Sequence, residues 1–338
     1  MAGHDIIVIG GSAGSLDAMR AIAYGMPAEF PAALFFVLHS SPYGQGLLPE
    51  VLGSRGKLPT AHARDGEPVT PGRIYVAPPD HHLMLEPGRV RVTRGPKENR
   101  FRPALDPLFR SAALAYGPRV VGVVLSGWLD DGAAGLWAIK ARGGVAIVQD
   151  PDEAFARPMI ENAMRQVSVD YRLRAADIAP TLVELASAPV VAAGEFPAPA
   201  ELEVETKIAM GDKALGLGVL GLGDPSLVTC PECHNVLVRL RAGGGARFRC
   251  NNGHAYTADS LLAEMDEAVE RSLWNAVRQV QENALLMEHI ASHAREAGQA
   301  DVAALFDRKG AEARRRGELV RRAVMNHDAP GGEKASWT

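Results

Sequence analysis

Three short apolar runs, each followed closely by a residue suited to hydrolytic chemistry, constrain the fold of this chain most strongly. The runs are Asp5–Ile9, Ala33–Leu38 and Val120–Leu125, all rich in β-branched or aromatic residues and bounded by Gly, Pro or polar residues. Such runs are typical of strands buried on both faces of a parallel sheet. The carboxyl ends of parallel strands lie at the same edge of an open α/β sheet, and ligands bind at that edge. The residues that follow these three runs are therefore expected to meet at one site.

Ser12 follows the first run, within the G-x-S-x-G turn Gly10–Gly14. Such a turn can lead sharply from a strand into a helix and project the serine hydroxyl into a cleft, because the flanking glycines tolerate the strained backbone. Ser15 is expected to be the N-cap of a helix over Leu16–Ala23. The alternative is a glycine-rich turn that only joins strand to helix or binds a phosphate.

His39 and Asp131 follow the second and third runs. An imidazole at this edge is the general base that a serine nucleophile needs, and a buried carboxylate would orient it. Taken alone, His39 fits a structural role better than a catalytic one, and Asp130 is the rival carboxylate. The chain order Ser, His, Asp differs from the Ser, Asp, His order of α/β-hydrolases, which argues against that fold.

At these residues the chain resembles the CheB-type protein-glutamate methylesterases of bacterial chemotaxis, over roughly residues 5 to 185. The matching segments are Ile9–Gly14, Val37–His39 followed by Pro42, Ile74–His82, Arg102–Ala113, Leu125–Gly127, Asp131–Gly135, Gly143–Asp150 and Pro158–Met159. The resemblance implies a doubly wound α/β fold with a mostly parallel sheet. It also implies a Ser-His-Asp catalytic triad, whose roles fall on Ser12, His39 and Asp131.

The implied activity is hydrolysis of glutamate methyl esters on a methyl-accepting chemotaxis-type receptor or a related signalling protein, with deamidation of receptor glutamines as a second reaction of the same residues. No cofactor is expected for catalysis. Two alternatives stay open: a signalling scaffold that binds partners through its helical C-terminal region, and an esterase or amidase for a small molecule. A fluorophosphonate would label Ser12 in an enzyme and not in a scaffold.

The chain departs from the family pattern beside the expected site. Ala13-Gly14-Ser15 stands where the family usually has Thr-Gly-Gly, and Gly127-Trp128-Leu129 stands where it has Gly-Met-Gly. The bulky Trp128 is expected to reshape the substrate pocket. Many of these enzymes carry an N-terminal receiver domain, whereas here the first catalytic strand begins at residue 5, so we expect no control through an attached receiver.

Length, charge and apolar runs narrow the class of protein. With 338 residues, a single core is improbable. The net charge of −4 gives no general attraction to nucleic acid or anionic lipid, so neither is an expected partner. No apolar run approaches the ~18 residues of a membrane span, and no signal peptide is evident. A cytoplasmic protein is therefore expected.

Three cysteines, all within residues 230 to 250, cannot pair off as disulfides. Cys230 and Cys233 have C-x2-C spacing, and Cys250 and His254 have C-x3-H spacing, which together supply the four donors that tetrahedral zinc prefers. Gly243–Gly245 would turn the connecting hairpin. Because all four positions would be filled by protein, a structural zinc ion is expected. His234 directly follows Cys233, a position that makes it a poorer candidate ligand than His254.

The C-terminal region is expected to be helical. Apolar residues at three- and four-residue steps predict a long helix that Gly298 ends, and a second helix from about Asp301 to Met325 would fold back on it as a hairpin. The apolar stripe is expected to pack within the hairpin or in a homodimer, with a receptor or partner helix as the alternative. The stripe comprises Leu262, Met265, Val269, Leu273, Ala276, Val280, Ala284, Met287 and Ile290.

These observations give a predicted organisation in five parts. They are a methylesterase-like catalytic domain (1–188), a linker (189–228), a zinc-ribbon-like module (229–256), a helical hairpin (257–325) and a flexible tail (326–338). Within the predicted linker, Glu201–Ala209 alternates enough to form an edge strand.

Overall fold

The structure is a computed structural model that describes residues 3–190, 196–241 and 243–327, without the side chains of Asn326 and His327. The described residues fall into two compact units, one ending at Leu261 and the other beginning at Leu262. Among the helices of these ranges, none combines the length and the apolarity that a membrane crossing requires.

The first unit begins with a series of strands and helices. In chain order they are β1 (Ile6–Gly11), α1 (Leu16–Gly25), β2 (Ala33–Leu38), α2 (Leu48–Gly53), β3 (Thr60–His62), β4 (Ile74–Val76), β5 (His82–Glu86), β6 (Arg89–Thr93), α3 (Leu105–Tyr116), β7 (Val120–Val124), α4 (Ala133–Ala141), β8 (Val145–Gln149), α5 (Pro158–Gln166), β9 (Tyr171–Leu173) and α6 (Ala175–Ser187).

The main sheet has the order β3-β4-β2-β1-β7-β8-β9, and each neighbouring pair in it is parallel. The chain builds outward from β1 in one direction through β2 and then in the other through β7. The strand order therefore reverses beside β1, which makes the carboxyl ends of β2, β1 and β7 the expected ligand-binding edge. The predicted doubly wound, mostly parallel sheet is confirmed.

Two apolar layers enclose this sheet, because successive strand side chains point to opposite faces. Ile6 and Val8 of β1 face a core that includes residues of α3, α4 and α5. Ile7 and Ile9 face a second core that includes residues of α1, α2 and α6. All four residues are at most 2% exposed. Burial on both faces explains the unbroken apolar runs of the central strands.

The remainder of the first unit is a helix and a second sheet. The elements are α7 (Ala200–Ala209), a 3-10 turn (Val219–Leu222), and an antiparallel four-stranded sheet of β10 (Gly223–Thr229), β11 (Val236–Leu240), β12 (Arg247–Cys250) and β13 (Ala255–Thr257). The β11–β12 hairpin turns through Gly243 and Gly245, whose φ angles of 98° and 132° favour glycine.

The predicted linker, 189–228, is wrong over much of its described length, since it contains α7 and most of β10. The expectation of an edge strand over Glu201–Ala209 is also wrong. Leu202, Glu205, Ile208 and Ala209 are buried, at three- and four-residue steps that fit one face of a helix. Leu202 joins the core beneath α3, so this segment belongs to the packed body of the first unit.

The two predicted C-terminal helices are present as α8 (Ala258–Glu296) and α9 (Ala300–His327). A Cβ on Gly317 would contact Val280 at 3.3 Å, and one on Gly310 would contact Met287 at 3.6 Å, so the helices run antiparallel. The first residues of the predicted stripe, Leu262 and Val269, are exposed in part. Of the predicted tail, residues 326 and 327 are helical, and 328–338 lie outside the described residues.

Candidate active site

Ser12 lies on the turn between β1 and α1. Its backbone N–H donates to Ser126 O at 2.9 Å, which ties the turn to the end of β7. Gly14, with φ of 77°, allows the chain to reverse there. Ser15 holds the N-cap position as expected, but its hydroxyl does not cap the helix: it donates back to Ser12 O at 2.7 Å. Ser15 thus closes the turn that presents Ser12.

Gly127 provides the space beside Ser12. A Cβ on Gly127 would lie 3.0 Å from Ser12 Cβ and 2.6 Å from Met159 Cε. The loop after β7 therefore runs against the serine turn, and a larger residue at position 127 would displace it.

His39 follows β2 at the adjacent strand end. Gly11 and Leu38 are register partners, and His39 N–H donates to Gly11 O at 3.2 Å. Ser12 and His39 are thus the first residues after two paired strands. The His39 side chain is 3% exposed and stacks on Phe101, with ring centroids 3.7 Å apart and an interplanar angle of 12°.

Asp131 lies against His39, with 2.7 Å between Asp131 Oδ2 and His39 Nε2. Burial alone would raise the pKa of this carboxyl, but hydrogen bonds from His39, the Leu105 amide and the Asn99 side chain hold its pKa below the usual value. The Leu105 amide donates to Oδ2 at 2.7 Å, and Asn99 Nδ2 donates to Oδ1 at 2.9 Å. Asp131 is therefore a well-anchored anion that fixes the His39 ring.

The remaining ring nitrogen, His39 Nδ1, is buried and has no hydrogen-bond partner among the described residues. The structure brings His39 and Asp131 into contact and places Ser12 at the neighbouring strand end, without a hydrogen bond between the Ser12 hydroxyl and His39. When Nε2 carries the proton shared with Asp131, Nδ1 is a free acceptor.

Asp130 has a different environment from Asp131. Its Oδ1 accepts a hydrogen bond from Thr257 Oγ1 at 2.5 Å. Burial, together with the charges of Asp259 and Asp106, raises the pKa of Asp130 to about 7. The residues alone left Asp130 as a rival, and the family resemblance assigned the role to Asp131. Of the two aspartates, only Asp131 is bonded to His39.

Sequence reasoning missed Asn99 and Phe101, which contact Asp131 and His39 from one turn. Their only local signal is weak: Asn99 is a residue type that tolerates the left-handed conformation it adopts, with φ of 48°. The two contacts join residues more than 30 positions apart, so no short motif marks them.

Cys230, Cys233, Cys250 and His254 form a second cluster, in which the candidate ligand atoms all lie within 4.8 Å of one another. Cys233 Sγ and Cys250 Sγ are 3.6 Å apart, and Cys250 Sγ is 3.5 Å from His254 Nδ1. Sulfur ligands of a tetrahedral zinc ion at ~2.3 Å would be roughly 3.8 Å apart. The four residues therefore fit a metal ion.

The surroundings of this cluster also fit a metal. His254 Nε2, the nitrogen that faces away from the thiols, lies 3.4 Å from Glu232 Oε2. Metal-bound histidines commonly pair their second nitrogen with such a carboxylate. Asn235 Nδ2 donates to Cys233 Sγ at 3.5 Å. His234 is exposed and lies outside the cluster.

The fold and this edge of the sheet define a doubly wound α/β protein with a buried His–Asp pair beside a serine turn. The family model described as CheB methylesterase matches residues 7–182. The chain belongs to the CheB methylesterase family. The match ends before the second sheet and the C-terminal helices.

Individual relatives agree. A protein of Leptospira interrogans, provisionally named protein-glutamate methylesterase/protein-glutamine glutaminase, is 36% identical over 183 residues, which cover 54% of this chain and 95% of that protein. Protein-glutamate methylesterase/protein-glutamine glutaminase 2 of Anaeromyxobacter dehalogenans is 37% identical over 181 residues, but this chain covers only 53% of it. The CheB methylesterase catalytic domain of Thermotoga maritima superposes with a TM-score of 0.52 at 33% identity, covering 55% of this chain and all of that domain.

Proposed function

We propose that this chain is a protein-glutamate methylesterase in which Ser12 is the nucleophile, His39 the general base and Asp131 the residue that orients His39. The observation that carries the proposal is the bond between His39 Nε2 and Asp131, which leaves the buried Nδ1 as an acceptor at the strand end next to Ser12. Family membership and the names of the relatives support the ester chemistry.

In the proposed mechanism, Ser12 Oγ attacks the carbonyl carbon of the glutamate methyl ester while its proton passes to His39 Nδ1. Asp131 stabilises the imidazolium that forms. Backbone amides at the turn into α1 are the expected donors to the oxyanion, since a helix N-terminus carries unpaired N–H groups. His39 then returns the proton to the departing methanol.

The second half repeats these roles with water. His39 Nδ1 takes a proton from the water that attacks the acyl-serine, and Ser12 leaves with that proton to release glutamate. With a glutamine substrate the same steps expel ammonia instead of methanol, so deamidation requires no further residue.

We propose a receptor of the methyl-accepting chemotaxis type, or a related signalling protein, as the substrate. Trp128 is 52% exposed and Phe155 is 76% exposed. Phe155 packs over Gly14, and Trp128 follows Gly127, so both flank the Ser12 turn. Exposed aromatic residues around a nucleophile suit a large partner better than an enclosed small molecule. A homodimer through the C-terminal helices and a cytoplasmic location stay predictions.

We further propose that Cys230, Cys233, Cys250 and His254 hold a structural zinc ion. The ion would supply folding free energy and no reaction step, since four protein ligands leave no position for water. The zinc-ribbon-like module would then include β10 to β13.

The test is methanol release from a methylated receptor fragment by the full chain and by Ser12→Ala, with Ser54→Ala as the matched control at an exposed serine away from the turn. The wild type and Ser54→Ala should release methanol at similar rates, and Ser12→Ala should fall to background. Equal rates in Ser12→Ala and the wild type would refute Ser12 as the nucleophile.

Labelling by a fluorophosphonate in the wild type and not in Ser12→Ala would separate an esterase from a scaffold. Turnover of small esters with none of the receptor fragment would favour the small-molecule alternative.

A further inference from the structure

The turn Glu98–Phe101 contacts His39 and Asp131, the two residues that assist Ser12 in the proposed mechanism. Glu98 and Phe101 pair as an antiparallel bridge, with Phe101 N–H donating to Glu98 O at 2.9 Å. The two central residues, Asn99 and Arg100, have φ angles of 48° and 76°. Arg100 is a residue type that disfavours this conformation, so surrounding contacts must hold the turn.

One side of the turn faces the active site. Asn99 Nδ2 donates to Asp131 Oδ1 and to Asp106 Oδ2, each at 2.9 Å. Phe101 stacks on the His39 ring. A single four-residue turn therefore sets the position of the carboxylate and of the imidazole together.

The other side of the turn is held by the second sheet. Asn99 N–H donates to Ala255 O at 2.8 Å, and Glu98 bridges to Ala255 in parallel. The side-chain oxygen of Asn99 accepts from Thr257 N–H at 3.0 Å and from Ser260 Oγ at 3.1 Å. Asn99 thus joins the segment Ala255–Ser260 to Asp131 through one amide group.

Reciprocal hydrogen bonds hold Thr257 and Ser260 to each other. Thr257 precedes α8, and its N–H donates to Ser260 Oγ at 2.9 Å while Ser260 N–H donates to Thr257 Oγ1 at 3.2 Å. This reciprocal pattern is that of a capping box, with serine at the third helical position. Thr257 and Ser260 are buried, so water does not compete for these bonds.

Buried ion pairs fix the base of the turn. Glu98 pairs with Arg110 of α3 at 2.5 Å and with Arg249 of β12 at 3.0 Å. Arg249 also pairs with Glu205 of α7 at 2.9 Å. All four side chains are at most 4% exposed. The turn is therefore clamped between the catalytic core and the second sheet.

We propose that Asn99 is a positioning residue through which the segment Ala255–Ser260 holds Asp131 and the turn that carries Phe101 in their active arrangement. This inference rests on the proposed function, because it assigns a role relative to His39 and Asp131. It extends that function by giving residues 255–260, which lie beyond the family match, a part in positioning the catalytic groups.

The test compares the full-length wild type with Asn99→Gly, Ser260→Ala and the double variant. Glycine keeps the left-handed backbone and removes the amide. The readout is the rate constant for labelling of Ser12 by a fluorophosphonate. We expect Asn99→Gly to slow labelling about 10- to 100-fold, as misplaced catalytic groups do. Ser260→Ala should slow it roughly 2- to 12-fold, because the Asn99 side chain loses one of the hydrogen bonds that hold it.

The double variant decides whether Ser260 acts through Asn99. If it does, the double variant should label as slowly as Asn99→Gly alone, because the supporting bond no longer has a recipient. Ser111→Ala is the matched control. Ser111 is fully buried in α3 and, among the residues that the structure describes, bonds only to Leu85 N–H and Leu108 O. It should label within about twofold of the wild type.

A pH profile separates positioning from a general loss of structure. Without the Asn99 amide, the Asp131 carboxylate loses a donor, so the pKa of Asp131 should rise. The acid limb of kcat/KM for ester hydrolysis should then move to higher pH in Asn99→Gly and stay in place in Ser111→Ala.

Labelling at the wild-type rate in both Asn99→Gly and Ser260→Ala would overturn the inference, as would an additive double variant. If Asn99→Gly does not fold, the shape-preserving variant Asn99→Asp takes its place in the test. Asn99→Asp should label at least tenfold more slowly than the wild type. Wild-type labelling rates in both Asn99→Asp and Ser260→Ala would then overturn the inference. Failure of the wild type itself to label would instead overturn the proposed function.

Discussion

His39 Nε2 and Asp131 Oδ2 lie 2.7 Å apart, with side chains that are only 3% and 2% exposed. This pair is enclosed by the Leu105 amide, Asn99 and Phe101, so it has one arrangement rather than several. An imidazole fixed in this way keeps a single tautomer, and a fixed tautomer is what a serine needs from its base.

Replacement of Asp131 by asparagine should therefore lower kcat/KM for ester hydrolysis by roughly 10³- to 10⁴-fold, because an amide can present an N–H where His39 requires an acceptor. The measurement is methanol release from a methylated receptor fragment. Asp130→Asn is the matched control, and it should keep activity within about threefold. The assignment fails if Asp130→Asn is the more damaging of the two.

The pH dependence of stability should identify Asp130. Its pKa rises from the ordinary value of 3.8 to about 7 in the folded chain, through burial and the nearby charges of Asp259, Asp106 and Asp131. The folded state thus keeps a proton that the unfolded state loses between pH 4 and 7. This group stabilises the fold below pH 4, and its contribution is lost as the pH rises through 7, at up to about 1.4 kcal/mol per pH unit.

Asparagine mimics the neutral carboxyl and does not titrate. The thermal midpoint of Asp130→Asn, relative to that of the wild type, should therefore increase as the pH rises from 5 to 8. Asp106 also has a pKa raised to about 7. It is present in both proteins, so the difference between the two midpoints reports Asp130 together with its coupling to Asp106. A constant difference between the two midpoints over this range would show that Asp130 ionises normally.

Local sequence predicted the central strands but not the elements that brace the site. The run Ala33–Leu38 coincides with β2, because a strand that is buried on both faces needs apolar side chains at consecutive positions. Positions 202, 204, 206 and 208 of α7 are apolar or small, a pattern that also fits a strand. The helix was missed because Glu205 is paired by Arg247 and Arg249, more than 40 residues away.

The same limit applies at the active site. The placement of Ser12, His39 and Asp131 at one edge of the sheet could be predicted, because each directly or closely follows an apolar run. Asn99 could not, since its partners Asp131, Thr257 and Ser260 lie 32 to 161 positions away. A residue whose role depends on three distant contacts leaves no periodic signal in its neighbours.

Arg249 should be a major determinant of stability. It is fully buried and is the one residue that pairs with both Glu98 and Glu205 among the described ion pairs. Burial alone would raise the pKa of Glu205, but Arg247, Arg110 and Arg249 hold it well below the usual range. Arg249→Met should lower the free energy of unfolding by about 3 to 5 kcal/mol, because a charge is removed from a buried network.

The measurement is the urea or thermal midpoint of the full chain. Arg241→Met is the control, since Arg241 is 62% exposed and pairs with the exposed Asp224. Its midpoint should change little, as is usual for surface ion pairs. Equal midpoints in Arg249→Met and the wild type would contradict the proposed strength of the network.

The next prediction concerns metal binding. Freshly purified full chain should contain about one zinc ion per molecule, and Cys233→Ser should lose it. His234→Asn is the matched control, because asparagine tolerates the left-handed φ of 59° at this exposed position and His234 lies outside the cluster. Metal analysis of the three proteins decides the ligand set, and zinc-free wild type would remove the assignment.

Zinc binding should also affect the reactivity of Ser12, because β13 begins directly after His254 and bonds to Asn99. Removal of the metal by a chelator should slow fluorophosphonate labelling of the wild type about tenfold. The same treatment should add little to the slow labelling of Asn99→Gly, in which the connection is already broken. An equal further loss in Asn99→Gly would mean that the metal supports the site by a route other than Asn99.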